Sequence, residues 1–355
     1  MILFSDSANQ SAAIKSCAKL KIPLVTVLLP VYNAEAHVAE AIQSILSQTF
    51  RDFELLIIND GSTDRSLEII RSFNDARIRA ESNESNMKLI ATLNKGIDLA
   101  RGKYIARMDA DDVSLPERLQ KQVDFMETHS EVGVCGTWFQ LFGNSGEIVK
   151  YPEKDENIRI MMLYQTPFCH PSIIFRKDVF DKYGIRFLPE FIHAEDYEAW
   201  VRLAGLTHFA NIPEVLLKYR IHEQSVSAAH QKIQERNTHR IIRRAFEKAG
   251  MSISDEEVHL FREVAYSHFK AEKKFVLSAE AILVRLLESN RKTKFLPENA
   301  LEQFVFDLWF HLCYNTTRLG KWVHHVYYHS PLSKLRRMPV EYRWKFALKV
   351  LLNKQ

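Results

Sequence analysis

From Pro23 the chain alternates short apolar runs with stretches of helical periodicity, and this alternation restricts the fold more than any other feature. Leu24-Val-Thr-Val-Leu-Leu29 is apolar and partly β-branched and stops at Pro30, as a parallel strand buried on both faces would. Val38, Ala41, Ile42, Ile45 and Leu46 then recur at helical spacing. Phe53–Ile58 repeats the strand pattern and ends in the turn-rich cluster Asn59-Asp60-Gly61-Ser62. Asp64 suits an N-cap for a helix carrying Leu67, Ile69 and Ile70. A third short strand near Ile78 and a helix from about Lys88 to Ala100, stopped by Gly102, lead to a fourth strand over Lys103–Met108. Pro116 opens the next helix, through about His129. The pattern predicts an α/β fold: an open, mostly parallel sheet with helices on both faces. Ligands of such sheets bind beyond the carboxyl ends of the strands. The polar clusters after strands one, two and four therefore converge on one edge.

Later segments read differently. From Val132 to about Tyr219 strands (Val132–Leu141, Ser172–Arg176, Glu214–Tyr219) mix with short helices, and beyond Ser225 long helical patterns dominate: Ile233–Ala249, Asp255–Leu286 with breaks, and Glu298–Tyr314. We expect an N-terminal segment over 1–22, an α/β domain over 23–225 and a helical basic region over 226–355. The net charge of +4 conceals −6 over residues 1–225 and +10 over 226–355. The acidic part suits a metal site and the basic part an anionic surface. Cys17, Cys135, Cys169 and Cys313 form no CxxC pair and read as reduced thiols, without a disulfide framework or zinc site. The N-terminus lacks the basic start and long apolar core of a signal peptide, and no apolar run reaches the roughly 18 residues of a spanning helix. A cytoplasmic location is expected.

Two common phosphate-binding devices are missing. The turn after strand one, Pro30-Val-Tyr-Asn-Ala-Glu35, has no glycine to let backbone approach a pyrophosphate, and no Gly-Lys-Ser/Thr P-loop is present. Charge on a phosphorylated ligand must be met otherwise. Asp109, Asp111 and Asp112 offer three carboxylates within four residues, a donor set for hard cations such as Mg²⁺ or Mn²⁺. A solvated acidic loop capping the helix at Pro116 is the competing reading.

The chain resembles the family 2 glycosyltransferases over about residues 23–225. The matching segments are Val25-Thr-Val-Leu-Leu-Pro-Val-Tyr-Asn33 with Glu35, Leu56-Ile-Ile-Asn-Asp-Gly-Ser-Thr-Asp64, Leu93-Asn-Lys-Gly96, Ala100–Asp112, Pro116-Glu-Arg-Leu119 with Gln122, Ala194-Glu-Asp-Tyr-Glu-Ala-Trp200, and Tyr219-Arg-Ile-His222. The resemblance implies a GT-A, Rossmann-like fold followed by a helical C-terminal extension. It also implies an inverting, metal-dependent transfer of a sugar from a nucleotide-diphosphate sugar, a UDP-sugar in particular. The acceptor would be a glycan or lipid-linked hydroxyl in surface polysaccharide synthesis, such as that of lipopolysaccharide.

On matching positions, the resemblance makes Pro30, Tyr32 and Glu35 line the nucleotide pocket, with Tyr32 stacked on the base and Asp60 bonded to it. Lys88 would touch base or phosphate. Asp109 would contact the ribose or metal shell, Asp111 would ligate the metal, and Asp112 would orient a neighbour or reach the sugar. Asp196 would be the base that takes the acceptor proton, with Glu195 assisting. His222 would approach metal or diphosphate, and Arg220 would meet phosphate oxygens. His170-Pro171-Ser172 lies where acceptor-side residues are expected. The Gln-x-x-Arg-Trp motif of processive members is missing: Glu341-Tyr-Arg343-Trp344 keeps only Arg-Trp, far from that region. One or a few sugars per encounter are expected.

Residues 318–355 hold nine Lys or Arg and one acid, Glu341, interleaved with Trp322, Tyr327, Tyr328 and Trp344. On a helix Trp344, Ala347, Leu348, Leu351 and Leu352 share a face flanked by Arg343, Lys345 and Lys349. Such a face suits an anionic bilayer or docking on the catalytic domain. Nucleic acid is not expected, since no recognised binding motif accompanies the charge. A nucleotidyltransferase would need a Gly-rich basic first loop, which Pro30–Glu35 does not supply. A nucleotide-sugar-binding protein with a silent site is the non-enzymatic alternative.

Overall fold

Strand β1 (Val25–Val31) and strand β2 (Phe53–Asn59) are buried at every position, which requires cover on both faces of the sheet. Their side chains alternate between two apolar clusters. Val25, Val27, Leu29 and Val31 join Phe53, Leu55 and Ile57 on one face, under helices α1 (Val38–Leu46) and α4 (Arg118–Thr128). Leu28, Leu56 and Ile58 enter the other cluster, with helix α3 (Leu89–Leu99). The computed structural model describes residues 22–143, 145–221 and 230–352.

β1 pairs in parallel with β2 and with β4 (Tyr104–Arg107), and β2 pairs in parallel with the half-exposed edge strand β3 (Ile78–Ser82). The four expected strands thus form one continuous parallel block. Helix α2 (Ser66–Ser72) begins two residues after Asp64, whose Oδ1 accepts the Ser66 N–H at 2.9 Å. Beyond β4 the sheet turns mixed. β8 (Ile174–Arg176) lies antiparallel between β4 and β6 (Val132–Phe142), and the long strand β9 (His208–Arg220) runs parallel to β6 through three register shifts. Two short strands, β5 (Val113–Ser114) and β7 (Ile148–Val149), pair with β9 and β6.

Helices α5 (Asp155–Met161), α6 (Lys177–Lys182) and α7 (Glu195–Leu203) fill the connections. Six more follow among the described residues: α8 (Gln231–Lys248), α9 (Asp255–Ala265), α10 (Lys273–Thr293), α11 (Glu298–Asn315), α12 (Lys321–His329) and α13 (Val340–Leu352). They share one apolar cluster with the sheet, continuous from Leu28 and Phe175 to Phe346 and Val350. α7 and α8 are also joined by charge: the buried Glu198 accepts from Arg202 at 2.7 Å and from Arg244 of α8 at 2.9 Å. Cys135, Cys169 and Cys313 are buried free thiols, and Cys17 lies outside the described residues. No helix among the described residues is long and apolar enough to cross a membrane.

Candidate active site

The loops after β1 and β2 are built against each other. The Asp60 N–H donates to the Val31 carbonyl at 2.7 Å. Asn33, at φ +47°, accepts the Thr63 N–H at 2.9 Å, and its own N–H reaches Ser62 Oγ at 3.1 Å. The Ala34 N–H meets Ser66 Oγ at 2.8 Å, the Glu35 N–H meets Asp64 Oδ2 at 3.0 Å, and Glu35 Oε2 accepts the Arg65 N–H at 2.9 Å. Glu35 thus ties the two loops together, while Pro30 is buried in β1 and Tyr32 is half-exposed. Gly61 has to be glycine, because a Cβ there would stand 2.6 Å from the Ser85 backbone. That contact brings in the loop after β3. Buried Asp60 uses Oδ1 to accept Asn83 Nδ2 at 2.7 Å and the Met87 N–H at 2.9 Å. Lys88, exposed at φ +74°, stands at the start of α3.

The fourth strand end is held from below. Buried Arg118 donates to the carbonyls of Arg107 at 2.7 Å and Ile173 at 3.2 Å, and its Nε binds Gln122 Oε1 at 3.1 Å. Gln122 in turn donates to the Ser172 carbonyl at 2.8 Å. Pro116–Gln122 thus locks β4 to the 170–172 turn. Burial lowers the Arg118 pKa to about 10, and it remains a cation at neutral pH.

Above that lock sits Arg107, 4% exposed and ion-paired with Asp109. Its field reaches Asp112, Glu195, Asp196 and His170. No role for it follows from the motif reading, although a charged residue within the apolar strand Tyr-Ile-Ala-Arg was itself a signal. Oxygens of Asp109, Asp111 and Asp112 all lie within 4.8 Å of one another. Desolvation and the neighbouring carboxylates push Asp112 well above the usual range, and desolvation raises Asp109 despite Arg107. Asp112 Oδ1 accepts the Arg220 N–H at 2.9 Å, whereas its buried Oδ2 has no protein partner. Three clustered hard oxygen donors, one of them orphaned, fit a divalent cation.

Arg220 arrives through the β5–β9 pairing. Its Nε donates to the Asp111 carbonyl at 2.7 Å, Nη2 pairs with Glu40, and the guanidinium lies 4.3 Å from the Phe142 ring. It clamps the aspartate loop. His222 lies outside the described residues.

Asp196 lies in the first turn of α7, whose buried Tyr197 and Trp200 fix the helix in the core, with Tyr197 Oη donating to the Met162 carbonyl at 2.6 Å. Desolvation raises the Asp196 pKa, offset in part by the Tyr197 N–H, Arg107 and the Trp200 indole N–H. Burial and the Asp196 charge push the adjacent Glu195 up to about 7. His170 is kept neutral by burial and Arg107. Its ring stands 5.3 Å from Phe187 and 6.3 Å from Trp200, and its Nε2 is buried without a protein partner. Asp196 faces a cleft of about 310 Å³ lined by Thr166, His193, Gln234, Thr238, Arg262 and Tyr266 among others. Thr166 Oγ1 and Arg262 Nε are also buried and unpartnered. Four of those six residues come from 226–355, and sequence carried no signal for them, because short-range pattern does not say which distant helix closes a cleft.

Residues 26–184 match the model of the family described as glycosyl transferase family 2. An uncharacterized glycosyltransferase of Haemophilus influenzae is 34% identical over 62% of this chain and 72% of the relative. The O-antigen biosynthesis glycosyltransferase WbnJ of Escherichia coli is 34% identical over 58% of this chain and 82% of the relative. The putative glycosyltransferase EpsE of Bacillus subtilis is 37% identical over 56% of this chain and 73% of the relative. Among solved structures, S. aureus TarS 1–349 in complex with UDP-GlcNAc superposes with a TM-score of 0.57 at 16% identity, over 90% of this chain and 92% of that one. The expected GT-A fold is thereby shown, and with the motif loops assembled at one sheet edge, the chain belongs to the family 2 glycosyltransferases.

Proposed function

We propose that the protein moves a sugar from a nucleotide-diphosphate sugar, a UDP-sugar, to a hydroxyl of a glycan or lipid-linked acceptor, with inversion at the anomeric carbon. The observation that carries the reading is Asp196: a carboxylate of raised pKa, facing a cleft and sharing the field of Arg107 with the aspartate cluster. A carboxylate whose pKa is raised above the ordinary range is a stronger base for a hydroxyl proton than an ordinary aspartate. The acceptor oxygen would attack C1 as its proton passes to Asp196. The bond from C1 to the diphosphate would break, and its electron pair would leave with the nucleotide. Asp111, the orphaned Oδ2 of Asp112 and the second oxygen of Asp109 would hold Mn²⁺ or Mg²⁺, which offsets charge on a diphosphate leaving group when bound. Tyr32 and Asp60 would hold the base, and Lys88 the donor's outer side. Arg220 acts through the loop it clamps.

The setting follows the relatives. WbnJ is named for O-antigen biosynthesis, AmsE of Erwinia amylovora for amylovoran biosynthesis, and WfgD of E. coli for glucosyl transfer from UDP-Glc to a diphosphoundecaprenol-linked sugar. A surface polysaccharide pathway on the cytoplasmic side suits this chain. Residues 23–225 would supply the donor site, and 226–355 the outer wall of the acceptor cleft.

Transfer and donor binding are tested together. Asp196→Asn should lower turnover by about 10²–10⁴-fold while UDP binding with Mn²⁺ by calorimetry stays within about twofold. Asp111→Ala should abolish the metal-dependent part of that binding. An active Asp196→Asn variant moves the base elsewhere, and unchanged metal-dependent binding in Asp111→Ala removes the metal assignment.

A further inference from the structure

The expected apolar face of α13 exists, but it is not the face that docks. Phe346 and Val350, 0% and 3% exposed, anchor the helix in the main apolar cluster. The Phe346 ring lies 5.4 Å from Tyr327, 5.5 Å from His324 and 6.0 Å from Tyr314. Lys349 Nζ donates to the Tyr314 carbonyl at 3.0 Å. On the opposite arc Val340, Trp344, Leu348, Leu351 and Leu352 are 75%, 60%, 46%, 54% and 73% exposed. Their spacing of three to four residues makes one continuous stripe. Water gains nothing from such a stripe, and one bordered by charge marks a contact surface.

We propose that this outer face of α13 seats on an anionic lipid surface, its apolar stripe in the headgroup–acyl boundary and its flanking cations on the headgroups. Arg343 and Lys345 border the stripe on either side, and the Lys345 ammonium lies 5.7 Å from the Trp344 ring. The segment leading into the helix exposes Lys334, Arg336 and Arg337. In sequence, residues 318–355 hold nine Lys or Arg and one acid, Glu341. An indole and aliphatic centre with a basic rim matches a helix lying in a bilayer surface. Two copies meeting through this face would set like charges against each other. A nucleic acid would leave the leucines in water. The inner face holds the helix to the domain, so the lipid contact would be made by a fixed face of the whole protein. The stripe holds no residue of the transfer site, so this proposal stands or falls apart from the proposed reaction.

The full chain should cosediment with vesicles of phosphatidylcholine and phosphatidylglycerol, and not with phosphatidylcholine alone, and the bound fraction should fall with added salt. Leu348→Ser combined with Leu351→Ser should lower partitioning at least about tenfold, since more than two buried methylene groups are lost from the contact on each side chain. Reversing Arg343 and Lys345 to Glu should lower it about fivefold or more per site. Leu348 and Leu351 are exposed, so the melting temperature of the double Ser variant should match the parent. Equal partitioning of the parent and the double Ser variant overturns the proposal, as does absence of binding to the anionic vesicles. An oligomer in sedimentation velocity that the Ser variant dissociates would instead assign the face to a second copy.

Discussion

Two sides of the same sheet edge are built on opposite terms. The loops after β1 and β2 satisfy their polar groups against each other: Asn33 with Ser62 and Thr63, Ala34 with Ser66, Glu35 with Asp64 and Arg65. Across the edge, β4 and the 166–172 segment leave Asp112 Oδ2, Thr166 Oγ1 and His170 Nε2 buried without a protein partner, and α7 adds two carboxylates. They also hold Asp109, Asp112, Glu195 and Asp196 at raised pKa. Buried unsatisfied groups are costly and are retained where a ligand completes them. The first side is a cradle finished in advance. The second side carries a charge imbalance that Arg107 only partly offsets.

The largest effect should come from removing that offset. Arg107→Met leaves Asp109 unpaired beside Asp112 and Asp196, and unfolding in denaturant should show a loss of about 3–5 kcal/mol. A loss below about 1 kcal/mol would mean that Arg107 is not the counter-charge.

Next comes the pH dependence of Glu195. Its folded pKa, about 7, lies above the unfolded value near 4.5. The group therefore favours the fold fully below about pH 4.5, and that contribution is lost as pH rises to about 7. The total is on the order of 3 kcal/mol. Glu195→Gln should remove this slope in melting experiments from pH 4 to 8. An unchanged slope would place the buried proton elsewhere. Asp196 is also raised, so the acid limb of transfer should lie above the range of an ordinary aspartate.

The smallest effect belongs to the finished side. Asp64→Ala removes the acceptors of the Ser66 and Glu35 N–H groups and should cost about 1–2 kcal/mol. Its consequence for the enzyme should be weaker donor binding with little change in turnover. A fall in turnover alone would contradict the division between cradle and charged wall.

Much of the cradle was legible because its signals are local. Periodicity placed the four parallel strands within a residue or two, and turn chemistry placed Asp60 and Asp109–Asp112 at strand ends. Glu35 and Arg220 carry structural contacts that the motif reading did not foresee. Both look like ligand contacts in sequence, and both are occupied by backbone amides or carbonyls of neighbouring loops. Thr166, Arg262 and Tyr266 had no assigned role, since the cleft they line joins segments far apart in the chain, and Arg107 had none although its partner Asp109 is two residues away. The tail shows the same limit: the stripe through Trp344 and Leu348 was readable, but both orientations of it were consistent with the pattern.

The sequence by itself determined the strand–helix alternation, the sheet edge where the polar clusters meet, and the family, because periodicity and turn preferences act over a few residues. Tertiary structure alone decided which carboxylates share the field of Arg107, which helices close the cleft at Asp196, and which face of the last helix meets water. Those outcomes depend on desolvation and on groups brought together from separate segments of the chain, such as Arg107 and Asp196, and no local pattern encodes either.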